Sequence, residues 1–239
     1  MTAQTQKQML YQKYDKLLEH PLSTDDTFRF HCTECGKCCK QRADILLTPY
    51  DLNRIARYLG VEISQVIGEY CVWYVGKSSK LPVVVMNMQG PEQKCPFLER
   101  RKCKIHAAKP TVCALFPLGR VGTDKDYSIR YILQPVNCGT KEEEHTVREW
   151  LEEFSLEESE AWFREWQKTI MPLTKRMNEL GAGLSENNLN MVGEGLLNVL
   201  YAHYSNDLDF MEQFQQNSRK AHEFLDMIEG TLRQFGRIR

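Results

Sequence analysis

The chain has 239 residues, a net charge of −1 and 26% charged residues. It is long enough for one or two domains with a real core, and it lacks the basic excess of a nucleic-acid binder. Its longest apolar runs, such as 81–86, fall far short of a membrane span, and its polar opening leads into no signal-peptide stretch, so a cytoplasmic chain is expected, with no nucleic-acid or membrane partner.

Residues 5–19 carry an apolar stripe, Leu10, Tyr14, Leu17 and Leu18, which predicts a packing helix ended by Pro21. The next stretch, F-H-C-T-E-C-G-K-C-C-K over 30–40, puts Cys32, Cys35, Cys38 and Cys39 within eight residues. Nine cysteines, an odd count, in a chain of this size and compartment point to metal binding rather than disulfides. Thiolates suit a soft or borderline metal. The x2, x2 spacing matches the first three ligands of a bacterial ferredoxin run, and Gly36 lets the backbone curl around a ligand. Adjacent side chains in an extended stretch point apart, so Cys38 and Cys39 are expected to serve two neighbouring centres.

Thr48, Pro49 and Asp51 read as N-cap, N1 and N3 of a helix whose buried face is Leu52, Ile55, Ala56 and Leu59, with Gly60 as its stop. A second short helix is predicted from Ser64 towards Tyr70. The β-rich runs 71–75 and 81–86, joined by G-K-S-S-K, predict a hairpin, with Pro82 at a sheet edge. Cys71 in that hairpin reads as a small buried hydrophobe.

The second cysteine stretch follows. Cys95 and Cys103 flank a predicted turn at 99–102, Cys113 falls on a short helix opened by Pro110, and Cys138 follows a hairpin over 118–136 that turns at G-T-D-K-D. From Lys141 the pattern is helical. Val147, Trp150, Leu151 and Phe154 make one stripe. Ser155 with Glu158 reads as a capping box for a helix broken by Pro172. Ser185 caps a third helix and a fourth covers about 207–229. The fold class expected is α+β, with an N-terminal arm over 1–27, a cysteine-rich domain over 28–140 and a helical region over 141–239.

The order C-x2-C-G-x-C-C, L-T-x-x-D-L-x-R-I, C-P-F-L and C-x-I-x-x-x-x-P-x-x-C-x-x-F-P resembles the YkgJ-type cysteine-cluster family. That family is described as a zinc- or iron-chelating domain or as Fe–S-cluster-containing proteins, and flagellin lysine-N-methylases carry a similar cluster. The resemblance covers about 28–140 and implies Cys32, Cys35, Cys38, Cys39, Cys95, Cys103, Cys113 and Cys138 as the cluster cysteines. His106 and Lys109 stand where the family often has Tyr and Arg, which leaves open whether His106 ligates. The helical tail lies outside the resemblance.

Eight thiolates suffice for two four-cysteine centres, of zinc or of iron–sulfur. Wide loops between ligands speak for zinc. The x2, x2 triplet, the Cys95–Pro96 step and the family's description weigh towards iron–sulfur, 4Fe–4S in type. Lys37, Lys40, Arg42, Lys94, Arg100, Arg101, Lys102, Lys104 and Lys109 crowd the cysteines and would offset an anionic centre, although a solvated turn accounts for 100–102 equally well. The radical-SAM triad, the phosphate-binding G-x4-G-K loop, H-E-x-x-H and G-x-S-x-G are all missing from the sequence. Two classes remain: a redox or protein-modifying iron–sulfur protein with a protein partner or substrate, and a zinc-stabilised interaction module without catalysis. Whether the chain is an enzyme stays open.

Overall fold

The computed structural model describes residues 17–42, 44–122 and 126–237. The predicted helix over 5–19 lies outside the described residues except for its last three. The fold is α+β: among the described residues, nine short strands pair antiparallel and helices are concentrated after residue 146. The chain forms two compact units, one from 1–37 with 111–164 and the other from 38–110 with 165–239. It therefore passes between them at 37/38, 110/111 and 164/165, and the first two crossings fall inside the two cysteine-bearing stretches.

In the first unit, β1 (Thr27–His31) pairs with β9 (Thr140–Thr146), with an irregularity between Arg29 and His31. Strands β7 (Leu118–Gly122) and β8 (Ile129–Leu133) form the hairpin expected over 118–136. The core gathers Phe28, Phe30, Leu118, Tyr131, Val147, Trp150, Leu151 and Leu156. Alternation explains β1, since Phe28 and Phe30 point inward while Thr27 and Arg29 face water. Trp150 closes this core from helix α4 (Val147–Glu153). It lies edge-on to Phe28 with 5.5 Å between ring centroids, and its indole N–H donates to the Leu115 carbonyl at 3.2 Å, so the ring's polar end is satisfied inside the core. Leu115 ends helix α3 (Thr111–Leu115). The helical pattern expected from Lys141 begins only at Val147. Residues 140–146 form β9 because the paired strand β1, rather than any apolar alternation of their own, holds them extended.

In the second unit, helix α1 (Pro49–Leu59) starts as the sequence predicts. Thr48 and Asp51 form a reciprocal capping box, Pro49 is at the first position, and Gly60 ends the helix at φ 68°, in the left-handed region that a glycine enters without strain. Helix α2 (Ile63–Tyr70) follows. Strands β2 (Leu46–Leu47), β3 (Cys71–Val75) and β4 (Pro82–Met86) form a sheet in the order β2-β4-β3. Pro82 thus begins the central strand rather than an edge strand. It is tolerated because β2 reaches only Val84 and Val85, so no second neighbour asks for the missing N–H at position 82.

The long helix α5 (Glu157–Gly181) contributes its first turns to the first unit and the rest to the second. It runs through Pro172 instead of breaking there. Leu173, Met177 and Leu180 are all within 3% of full burial. Burying such side chains at about 1.5–3 kcal/mol each offsets the proline's cost of about 3 kcal/mol. Helices α6 (Glu186–Leu197) and α7 (Phe210–Gln234) complete the unit, capped by Ser185 and Asp209, with Leu196, Phe214 and Leu225 buried. No helix among the described residues is long and apolar enough to cross a membrane.

Candidate metal centre

The two units divide the eight candidate cysteines evenly. Cys38, Cys39, Cys95 and Cys103 belong to the second unit, and Cys32, Cys35, Cys113 and Cys138 to the first. Among the described residues no disulfide links any cysteine, and no three metal-ligating side chains already converge on one point.

In the second unit, Cys38 and Cys39 lie on a single 3-10 turn (Lys37–Cys39), and their sulfurs stand 3.9 Å apart. This corrects the expectation that neighbouring cysteines diverge: a 3-10 turn rotates successive side chains by about 120°, not the roughly 180° of a strand. Two thiolates at about 2.3 Å from one ion in a tetrahedron are separated by about 3.8 Å, so the pair fits a single ion.

A backbone clip brings the next cysteine to this pair. The Cys95 N–H donates to the Cys39 carbonyl at 2.8 Å and the Gln41 N–H to the Gln93 carbonyl at 2.8 Å. Glu92 reinforces the clip, 2.8 Å from Lys40 Nζ and 3.3 Å from Lys94 Nζ, which holds its carboxyl below the usual range. Cys95 then leads into the tight hairpin of β5 (Leu98–Glu99) and β6 (Lys102–Cys103), the turn predicted at 99–102, with Leu98 opposite Cys103. Arg100 and Arg101 at its tip have φ of 45° and 73°. A two-residue hairpin of this hand requires positive φ at both central positions.

Electrostatics differ from one thiol to the next. Burial pushes Cys95 up, while the nearby Phe97 and Leu98 amides pull the other way; the Leu98 N–H itself donates to the Cys95 carbonyl at 3.0 Å. Burial also raises Cys103, opposed by the Ile105 amide and by Lys109. Cys38 falls to about 6 because Cys39 hydrogen-bonds to its thiolate, with Arg42 and Lys109 adding positive potential against the cost of burial. Of the nine basic residues singled out in the sequence, these two act on the Cys38 sulfur. Lys40 and Lys94 serve the clip, Lys104 pairs with Glu99 at 3.4 Å, and Lys37 donates to the Asn137 carbonyl at 3.4 Å.

In the first unit, Cys32 follows β1 directly and is exposed, while Cys35, Cys113 and Cys138 are half-buried. Cys113 sits in α3 behind Pro110, as expected. Cys138 is placed by the residue after it. Gly139 has φ 70°, and a Cβ there would lie 2.5 Å from the Phe30 ring and 2.6 Å from the His31 carbonyl oxygen. This close approach sets residue 138 beside the end of β1, from which Cys32 emerges; His31 pairs with Thr140.

The cysteine region matches a protein-family profile, CxxCxxCC, described as "Putative zinc- or iron-chelating domain", over residues 31–153. The chain belongs to this family. Its cysteine-bearing half is thus a zinc- or iron-chelating, metal-binding domain, and all eight candidate cysteines fall within the match. The chain is also 33% identical over 90 residues to the uncharacterized protein MJ0661 of Methanocaldococcus jannaschii, an alignment that covers 37% of this chain and 44% of that protein. No solved structure matches.

Two residues outside the eight are also placed. Cys71 is buried in β3, and burial pushes its thiol up to about 12, which makes it a poor thiolate donor. His106 is exposed and opens a 3-10 turn (His106–Ala108) whose last residue is buried. No local signal in the sequence marks Glu92. Glu92 sits in a turn between two lysine-bearing segments, and only the pairing of those segments gives it a role.

Proposed function

We propose that the protein chelates metal through two four-thiolate centres, one in each unit: Cys38, Cys39, Cys95 and Cys103 in one, and Cys32, Cys35, Cys113 and Cys138 in the other. The Cys38–Cys39 pair carries the reading, because its sulfurs already stand at the separation taken by two ligands of one ion. The Cys38 thiol is lowered by Cys39, Arg42 and Lys109, and backbone amides oppose the burial that raises Cys95 and Cys103. A structural ion bound this way supplies folding energy to short, loop-rich segments. So dense a set of thiols also fits a reducing compartment, the cytoplasm.

A second reading is favoured by the C-x2-C-x2-C spacing and by Pro96 after Cys95: an iron–sulfur centre, 4Fe–4S in type, serving a redox or protein-modifying role towards a protein partner or substrate. Such a group would supply electron transfer. In it Cys38 and Cys39 would bind different irons, so their sulfurs would have to move apart.

Metal and acid-labile sulfide analysis of anaerobically purified protein decides. Two zinc or iron ions per chain without sulfide are the expected result. Sulfide equimolar with iron, in brown protein, would establish the second reading, and a chain that holds neither metal would sink both.

A further inference from the structure

Tyr58 lies near the end of α1 with 51% of its surface exposed, so burial in the core does not account for it. Its hydroxyl donates to the Lys104 carbonyl at 3.2 Å. That carbonyl and the Ile105 N–H belong to the same peptide group, one residue past Cys103, and the Ile105 amide is the backbone dipole that opposes the rise of the Cys103 thiol. Ile105 is 1% exposed, which anchors the far side of the peptide. One peptide plane therefore stands between the Tyr58 hydroxyl and the Cys103 sulfur. A carbonyl that accepts a hydrogen bond makes its own amide a stronger donor, so the two bonds reinforce each other.

Arg54, one turn earlier on the same helix face, donates to the Ala107 carbonyl at 3.2 Å. The amide of that peptide, Ala108 N–H, goes to the Ile105 carbonyl at 2.9 Å rather than to a sulfur. Arg54 thus ties down the same segment without addressing a thiol, which makes it the natural control.

We propose that Tyr58 is a positioning residue for Cys103: through the Lys104–Ile105 peptide it holds an amide on the sulfur and so sets how tightly the second unit's thiolates hold metal. This rests on the chelation reading above. Partners outside the ligand shell are commonly worth about 10–100-fold in metal affinity. Tyr58 acts one peptide further out and is half-exposed, so its effect is expected at about tenfold, the low end of that range.

The test compares Tyr58→Phe, which removes one oxygen atom, with Arg54→Met in the full chain. In metal-free protein, the Ile105 amide should exchange its hydrogen about two- to tenfold faster in Tyr58→Phe, the worth of one hydrogen bond, and at the wild-type rate in Arg54→Met. In a Cys32→Ser/Cys113→Ser background that leaves the second set intact, Co2+ is titrated against a competing chelator and read by its thiolate charge-transfer absorption. Tyr58→Phe should weaken Co2+ about tenfold and Arg54→Met far less. Unchanged exchange and affinity in Tyr58→Phe would overturn the proposal, as would equal losses in both variants, which would mark simple tethering of the segment. If the unsubstituted second set takes up no Co2+ while Ile105 exchange still responds to Tyr58→Phe alone, the chelation reading fails and the positioning of the peptide stands.

Discussion

The two sets of cysteines use the same ligand atom and are held in different ways. In the second unit Cys38 is lowered by Cys39 and by the field of Arg42 and Lys109, and backbone amides oppose the burial that raises Cys95 and Cys103. In the first unit Cys138 is placed by the fit of Gly139 against Phe30 and the end of β1, over an aromatic core closed by Trp150. Directed dipoles stabilise the thiolate itself, and their effect is electrostatic and tunable. A close backbone approach fixes only where the thiol is, and it fails abruptly when the space is filled. Cys38, Cys95 and Cys103 should therefore respond to substitutions around them by degrees, and the placement of Cys138 by a threshold at Gly139.

The largest test of this contrast compares two glycines. Gly139→Ala forces a left-handed backbone on alanine and drives a methyl into Phe30 and the His31 carbonyl. It should cost about 2–5 kcal/mol, the sum of backbone strain and overpacking, and should release metal from the first unit's set. Gly60→Ala, at φ 68° with nothing within 4 Å of the new Cβ, carries the strain alone. It should cost about 1–2 kcal/mol. Thermal melts and metal content of the two variants check this. Equal losses would show that the contact with Phe30 relaxes, and the threshold picture of the first set would fall.

Thiol reactivity tests the field around the second set. In metal-free, reduced protein Cys38, lowered to about 6, is mostly thiolate at pH 7, whereas an ordinary thiol is about 3% ionised there. Alkylation followed by peptide mapping should find Cys38 modified well ahead of Cys71, with a rate that falls below about pH 6. Cys71, pushed up to about 12 by burial, should stay unmodified until the protein unfolds. The signs for stability are opposite. Cys38 is more acidic folded than unfolded, so it favours the fold above the ordinary thiol range, and that contribution disappears as pH falls through about 6. Cys71 is less acidic when folded, so it weakens the fold as pH rises from the ordinary thiol range towards about 12. Equal labelling of Cys38 and Cys71 at pH 7 would remove the lowered Cys38 thiol, and with it the Cys39 bond and the field of Arg42 and Lys109, from the account of the second set.

The contrast also explains what could be read from the sequence. Local rules found α1, because Thr48, Pro49, Asp51 and Gly60 adjoin its apolar stripe, and found the hairpin of β3 and β4, whose β-branched runs flank a polar turn. They missed β9, since T-K-E-E-E-H-T has no alternation of its own and becomes a strand by pairing with β1, more than a hundred residues earlier in the chain. They broke α5 at Pro172, because local propensity omits the burial of Leu173 and Met177 on the far side of the proline. Clustering and the family resemblance together singled out the eight cysteines. Their division between units was illegible, because it depends on chain crossings at 37/38 and 110/111 that no local signal marks. The Cys38–Cys39 geometry was misread by assuming an extended backbone where a 3-10 turn forms.

The smallest expected effect concerns the scaffold beneath the second set. Helix α1 carries both Tyr58 and Arg54, and its first turn is closed by the Thr48–Asp51 box. The Thr48 hydroxyl accepts from the Asp51 N–H at 3.3 Å and donates to the Asp51 carboxylate at 2.7 Å, while the Thr48 N–H donates to the same carboxylate at 2.9 Å. Thr48→Ala removes the hydroxyl and leaves the backbone bond, so the 2% exposed Asp51 loses one donor of these two. Loss of such a cap costs about 0.5–2 kcal/mol. Thr48→Ser keeps the oxygen and should recover most of it. Because the cap lies at the opposite end of α1 from Tyr58, the loss should appear in the denaturation midpoint, with Co2+ affinity of the second set unchanged below the melt. A matching loss of affinity would mean that the whole helix, rather than its Tyr58 hydroxyl, is what the thiolates depend on.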